Sequence, residues 1–264
     1  MGFNRLHMLM LCLALIINQG CTMVKVKISE KRNSVPQQVT IGENIILTTW
    51  GAIKVNKTNF FPSSFQVKVD DKVIYIDPVG IENAEKADYI LITHAHPDHF
   101  SLKDIKNLLK GETRIICSKG VSKKLSDVKN KIQVVKPNQQ LQYEGFSIET
   151  TFAYNTKSVF LWIRAHPKSK ENVGYVITFK NGLKIYHAGD TDYIPEMEEL
   201  NGIDVALVPI GGDSLTMNEE EAAKIVNKIR PKVTIPMHYE IKNVEELNRF
   251  ENLVSKTSKV FRLK

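Results

Sequence analysis

The sequence predicts an α+β sandwich: two β-sheets packed face to face, with helices on the outside of both. Three observations predict it. The chain falls into two β-rich halves, each followed by helical segments. Tyr89 to Thr93 and Val205 to Pro209 are continuous apolar runs, the pattern of strands buried on both faces. The length of 264 residues and the 42% hydrophobic content suit one sizeable domain or two small fused ones, and do not suit disorder.

In chain order, residues 1–20 stand apart. Arg5 is their only formal charge, and Met8 to Ile17 is an unbroken apolar run, shorter than the roughly 20 residues of a membrane span. This reads as a secretory signal. Gly20-Cys21 at its end resembles a bacterial lipoprotein signal, which implies lipidation at Cys21 and a membrane-anchored place in the cell envelope. Asn18 departs from that pattern, since an apolar residue is usual there. Residues 21–38 are polar and basic (Lys25, Lys27, Lys31, Arg32) and read as a tether. The domain then spans residues 39–264. Val39 to Val55 reads as one or two strands. Ser64 to Asp77 reads as a hairpin about Asp70-Asp71, and Tyr89 to Thr93 as the buried strand. A short helix is expected near Ser101 to Leu109, with strands near Thr113–Cys117, Gln133–Val135, Leu141–Tyr143 and Phe146–Thr151. In the second half, Asn181-Gly182 marks a tight hairpin between Gly174–Phe179 and Leu183–His187. Thr216 with Glu219 reads as a capping box opening a helix whose apolar stripe is Ala222, Ile225, Val226 and Ile229. A strand from Lys232 to Pro236 runs to His238. A helix near Val244–Val254 and a strand near Val260 close the chain.

The charge balance, 36 basic against 29 acidic residues, gives +7, spread over many lysines. That suits a lysine-rich surface better than a nucleic-acid groove, and no nucleic-acid partner is expected. Cys12 and Cys21 lie in the leader region. Cys117, within an apolar run, reads as a buried small hydrophobe, so the domain relies on its core and not on disulfides.

The chemistry concentrates in Thr93-His94-Ala95-His96-Pro97-Asp98-His99. Alternate residues leaving a strand point the same way, so His94 and His96 can grip one ion, while the turn at Pro97 re-aims Asp98 and His99 toward a second. Neutral imidazole and carboxylate are common ligands of Zn, Mn and Fe. His166, His187 and His238 also lie beside loops that leave strands. Asp77, ending a strand at Asp77-Pro78, suits either orienting a ligand histidine or forming a turn. Tyr239 suits substrate contact or packing.

These motifs resemble the metallo-β-lactamase superfamily. The resemblance implies the four-layer αββα fold and a metal-dependent hydrolase. His187-Ala188-Gly189-Asp190-Thr191-Asp192 resembles the step whose aspartate bridges two metals, which places Asp190 between them. Ile235-Pro236-Met237-His238-Tyr239 resembles the last metal-binding histidine. Phe152-Ala153-Tyr154-Asn155 resembles the Pro-Ala-x-His stretch of the lactonase and phospholipase-D-like branch, with Asn155 at the histidine place. His166 is favoured as the ligand instead, with Asn155 beside it, and His187 reads as a supporting or packed residue. The implied metal ligands are therefore His94, His96, Asp98, His99, His166, Asp190 and His238, with Asp98 and Asp190 catalytic. The cofactor expected is a pair of divalent ions, zinc first, sharing a hydroxide that attacks an ester, lactone or phosphodiester of a small or lipid-like substrate. Class B β-lactamases fit poorly, because no cysteine is placed for the second metal. Flavin-diiron proteins carry Glu where this chain has His96. A metal-binding envelope protein without turnover and a nuclease are the alternatives, the first supported by Asn155 and the second by the charge.

Overall fold

The computed structural model describes residues 28–29, 36–55 and 58–262. The expected signal, Cys21 and most of the expected tether lie outside these residues. Alternation of apolar positions builds the strands of the first half: β1 (Ile28–Ser29), β2 (Gln37–Gly42), β3 (Ile45–Thr49), β4 (Ile53–Val55), β5 (Thr58–Phe61), β6 (Phe65–Val69), β7 (Lys72–Ile76) and β8 (Tyr89–Ile92). Helix α1 (Leu102–Leu108) follows, then β9 (Arg114–Ser118), the short α2 (Lys119–Ser122) and β10 (Ile132–Val135). The second half comprises β11 (Gln140–Tyr143), β12 (Phe146–Phe152), β13 (Val173–Phe179), β14 (Lys184–His187), β15 (Val205–Pro209), α3 (Glu219–Ile229), β16 (Val233–Met237), β17 (Tyr239–Glu240), α4 (Val244–Leu253) and β18 (Lys259–Val260).

Two seven-stranded sheets form, in the orders β10-β9-β8-β7-β6-β3-β2 and β11-β12-β13-β14-β15-β16-β18. Each is antiparallel on one side and parallel on the other. The strand period of two sorts their side chains into layers. In the first sheet Ile74, Ile76, Leu91 and Ile116 join the core shared with the second sheet. Their neighbours Val73, Tyr75, Ile90, Ile92, Ile115 and Cys117 face the other way and pack with Ile105 and Leu108 of α1. On the far side of the second sheet, α3 and α4 contribute Ala222, Ile225, Val226, Ile229, Leu247 and Phe250. The result is the αββα sandwich. Tyr175 ties the two sheets together: its buried hydroxyl lies 2.9 Å from Ile92 O and 3.1 Å from Ile116 O.

Three details differ from the sequence reading. Helix α3 is capped by Asn218 and Glu221, not Thr216 and Glu219. Asn218 is still extended, so Glu219 is already the first helical residue, while Thr216 is buried and its hydroxyl is bonded locally to Met217 O. The stretch Val39 to Val55 splits into three strands, of which β4 leaves the main sheet. A further four-stranded sheet, β1-β4-β5-β17, was not foreseen. It draws Ile28–Ser29, within the expected tether, against Lys54 and Val55, and holds Tyr239 and Glu240 against Phe61 and Phe60.

Candidate metal centre

The site lies where parallel strands of both sheets end. Histidines 94, 96 and 99 follow β8, Asp77 follows β7, Asp190 follows β14, and His238 follows β16. Loops at the carboxyl ends of parallel strands are where such folds gather functional groups. The two sheet edges are joined there. Val173 N donates to Thr93 O at 3.3 Å, and Gly189, at φ +66°, lies close enough to Thr93 that a Cβ would sit 3.4 Å from its side chain.

Two groups of ligand-type side chains result, and Asp190 belongs to both: His94, His96, His166 and Asp190, then Asp98, His99, His238 and Asp190. In the first, His166 Nε2 lies 3.5 Å and His94 Nε2 3.7 Å from Asp190 Oδ2, and His166 Nε2 is 3.0 Å from His96 Nδ1. In the second, His238 Nε2 lies 3.1 Å from Asp190 Oδ2 and 3.3 Å from Asp98 Oδ2, and His99 Nε2 lies 3.1 Å from Asp190 Oδ1. All seven residues named from the sequence therefore stand in one cluster.

Hydrogen bonds behind the cluster fix which ring nitrogen faces it. Asp77 accepts from Thr93 N at 2.8 Å, from the Thr93 hydroxyl at 2.7 Å and from His99 Nδ1 at 2.7 Å. Because the Thr93 hydroxyl donates to Asp77, its lone pair is left for His94 Nδ1, 3.0 Å away. One buried carboxylate thus orients a histidine in each group, holding Nδ1 behind the site and aiming both Nε2 atoms inward. His166 Nδ1 is 2.8 Å from Asn155 Oδ1 and 3.1 Å from Leu215 O, both acceptors, which again leaves Nε2 inward. Asn155 itself turns away from the ions' place. Its amide donates to Asp192 Oδ1 and Leu215 O, and its carbonyl also accepts from His166 N at 2.9 Å. His187 is buried outside both groups, donating from Nε2 to Ser63 O at 2.9 Å and accepting from Gly189 N at 3.2 Å. Tyr239 stacks on Phe61 at 5.5 Å between centroids and is buried, so it packs.

The donor set fits metal ions. His94 Nε2, His99 Nε2 and Asp190 Oδ1 are fully buried with no hydrogen-bond partner. His99 Nε2 and Asp190 Oδ1 stand 3.1 Å apart without bonding geometry. A buried imidazole nitrogen and a buried carboxylate oxygen so placed are held together by a proton on the imidazole or by a metal ion beside them. The electrostatics split along the same line. Burial pushes His166 down to about 4 and His94 well below its usual value, so the first group presents neutral imidazoles. In the second group burial also opposes charge, but the carboxylates of Asp190 and Asp98 outweigh it, raising His238 to about 9 and His99 well above its usual value. Despite the burial that opposes ionisation, the same imidazoles hold Asp98 at about 2 and Asp190 well below the usual carboxylate range. The second group carries negative charge that a proton or a metal must balance.

Several supporting residues were not legible in the sequence. By pattern alone Thr93 is no more than the end of a strand. The motif around Asp190 gives Asp192 no role, yet its Oδ2 accepts from Thr156 N, Thr156 Oγ1 and Lys157 N. Phe60 meets His238 edge-on at 4.8 Å, a contact that exists only because β5 pairs with β17.

Comparison with known proteins agrees with this fold. The Beta-lactamase superfamily domain family matches residues 58–238. A UPF0173 protein of Pyrococcus abyssi is 36% identical over 180 residues, covering 66% of this chain and 79% of its own. A UPF0173 metal-dependent hydrolase of Thermoplasma acidophilum is 32% identical over 183 residues, covering 65% of this chain and 77% of its own. Among solved structures, a protein of Parabacteroides distasonis described as a metal-dependent hydrolase superposes with TM-score 0.68 at 30% identity, covering 86% of this chain and 97% of its own. Igni18, a metallo hydrolase from Ignicoccus hospitalis, superposes with TM-score 0.60 at 27% identity, covering 78% and 93%. The fold, the family match and these relatives together identify the chain as a member of the beta-lactamase superfamily, a metal-dependent hydrolase with the metallo-β-lactamase fold.

Proposed function

We propose that the chain is a binuclear hydrolase of an ester, lactone or phosphodiester bond, with zinc the first candidate metal and Mn or Fe also suited to its ligands. The observation that carries this is Asp190, whose two carboxylate oxygens face both histidine groups from one buried position. Two divalent ions bound there would lower the pKa of a water from about 15.7 to near 7 and polarise the substrate oxygen. The chain's own residues do the rest. Asp77 and Thr93 lock the imidazole tautomers of His94 and His99, and Asn155 locks that of His166. Asp98, 15% exposed where its partners are buried, is the carboxylate placed to accept a proton at the mouth of the site. The Tyr154-Asn155 and Pro236-Met237-His238-Tyr239 segments support the lactonase and phospholipase-D-like branch. His166 Nε2 lies within the first group, so Asn155 does not leave that group a donor short, and the reading as a metal-binding protein without turnover loses its main support.

Elemental analysis after metal loading, paired with an ester, lactone and phosphodiester panel, tests the proposal. Two metals per chain and turnover are expected. Asp190→Ala should lose metal from both groups and at least ~10²-fold in activity, the scale of losing one preorganised charge stabiliser. Fewer than one metal per loaded wild-type chain would sink the binuclear reading.

We also propose an envelope location with lipidation at Cys21, supported by the apolar run Met8 to Ile17 and Gly20-Cys21. Metabolic labelling with a fatty acid, abolished in Cys21→Ala, is the expected result.

A further inference from the structure

Between Asn155 and His166 the chain leaves the metal centre and returns to it through a protruding loop. Its neck is stiff. Asn155 N donates to His166 O at 2.7 Å, Arg164 Nε donates to Thr156 O at 3.1 Å, and Asp192 receives Thr156 and Lys157. Its tip is a small turn closed by Val159 N to Ile163 O and Ile163 N to Phe160 O, both at 2.8 Å, with Leu161 at φ +48°. A loop held so firmly ordinarily uses its large apolar side chains to pack. Here Phe160, Leu161 and Trp162 stand out, at 66%, 66% and 68% exposure. With Val159 they make four exposed apolar residues in a row; the other exposed large apolar residues are scattered singly, which is normal for a surface, whereas four in a row at one tip is not.

The surrounding charge indicates what the tip meets. From Thr156 to Lys170 there are four basic residues, Lys157, Arg164, Lys168 and Lys170, and no acidic one. Lys157 and Lys168 are paired with Glu221 and Glu196, while Arg164 and Lys170 are exposed and form no salt bridge among the described residues. An aromatic and aliphatic tip flanked by cations matches the interfacial zone of a bilayer, where Trp and Phe sit at headgroup depth and Lys or Arg meets anionic lipid. No described helix is long and apolar enough to cross a membrane, so a contact of this kind is interfacial. We propose that the Phe160-Leu161-Trp162 tip is a membrane-docking element that seats this edge of the metal centre on an anionic lipid surface. The proposal concerns a surface and stands apart from which bond the centre cleaves.

Trp162 reports on it directly, because the other tryptophan, Trp50, is 5% exposed. The full chain is mixed with vesicles of equal phosphatidylcholine and phosphatidylglycerol, with brominated acyl chains in one set. Tryptophan emission should shift to the blue and be quenched by the brominated lipid, and both changes should vanish in Trp162→Phe. Arg164→Gln with Lys170→Gln should weaken the response roughly fivefold per charge removed. The leader can bind vesicles by itself, but it contains no tryptophan, so the readout stays local to the tip. Trp162 that stays open to an aqueous quencher while the chain co-sediments with vesicles would overturn the proposal. So would an equal response to pure phosphatidylcholine, or a lipid-free blue shift that rises with protein concentration as the mass doubles, which would make a second copy the occupant. Nothing here needs turnover, so a chain that hydrolyses nothing can pass and an active one can fail.

Discussion

At the scale of single residues, the centre depends on groups that touch no ion. Asp77 is the clearest. Three donors converge on its buried carboxylate, and two of them lead to histidines of different groups. Asp77→Ala should lower metal affinity in both groups by about 10–100-fold, the usual cost of removing such an orienting partner, read by competition with a chromophoric chelator. Asn155→Ala should weaken the first group selectively, because only His166 leans on it. The unequal charge of the two groups gives a pH signature. The folded value of His238, about 9, is above its ordinary 6.5. Its contribution to the stability of the metal-stripped chain is therefore fully present below about 6.5 and is lost as pH rises through about 9. Thermal melts of the stripped chain should fall across that window. Loading at pH 7 should release protons from the second group and not from the first, where imidazoles are already neutral. Calorimetric titration in two buffers of different ionisation enthalpy measures that release, and equal proton counts for both metals would contradict it.

At the scale of elements, regular structure follows local pattern closely, and the exceptions have local causes. The apolar stripe of α3 is the one its spacing predicts, but the cap is displaced by two residues. The sequence offers two overlapping signals, Thr216 with Glu219 and Asn218 with Glu221, and only the backbone decides between them. Met217 N is already committed to Thr191 O, and Thr216 N to Gly212 O, so the chain is still looping until Asn218. Asn218→Ala should cost about 1 kcal/mol in urea unfolding, the typical worth of an N-cap, whereas no such cap loss is expected from Thr216→Ala. The hairpins β6–β7 and β13–β14 were legible for the same kind of reason, since alternation with a short turn sets register; the turn is two residues at Asp70-Asp71 and a longer one closed by Gly182 N to Phe179 O in β13–β14. The strands β5 and β17 were not legible. Two residues of β17 carry no period, and they pair only because the loop after His238 passes beside β5.

At the scale of the whole molecule, the strand ends of the second half that carry ligands stand so close together that glycine is required between them. A Cβ on Gly174 would stand 2.5 Å from Thr151 Oγ1 and 2.8 Å from the carbonyls of His187 and Ala188, and one on Gly211 would stand 2.3 Å from His238 O. Gly211→Ala should therefore displace His238, costing about 1–3 kcal/mol in stability and depleting metal from the second group before the first, as differential scanning fluorimetry and elemental analysis would show. The sequence by itself determined the fold class, most strands and helices, and the ligand-type residues, because each of these follows from residue type, short-range spacing and motif. His94, His96, Asp98 and His99 are a local statement of that kind, written within six positions. The tertiary structure gave geometry to two expectations, Asp190 facing both groups and His166 rather than Asn155 turning inward, and it alone decided that Asp77 serves histidines on both sides and that Phe160, Leu161 and Trp162 remain in solvent. The reason is physical: orientation, burial and hydrogen-bond partnership at these positions depend on segments up to 144 residues apart, His94 and His238 among them. Which of them come together is fixed by the packing of two sheets and not by any pattern along the chain.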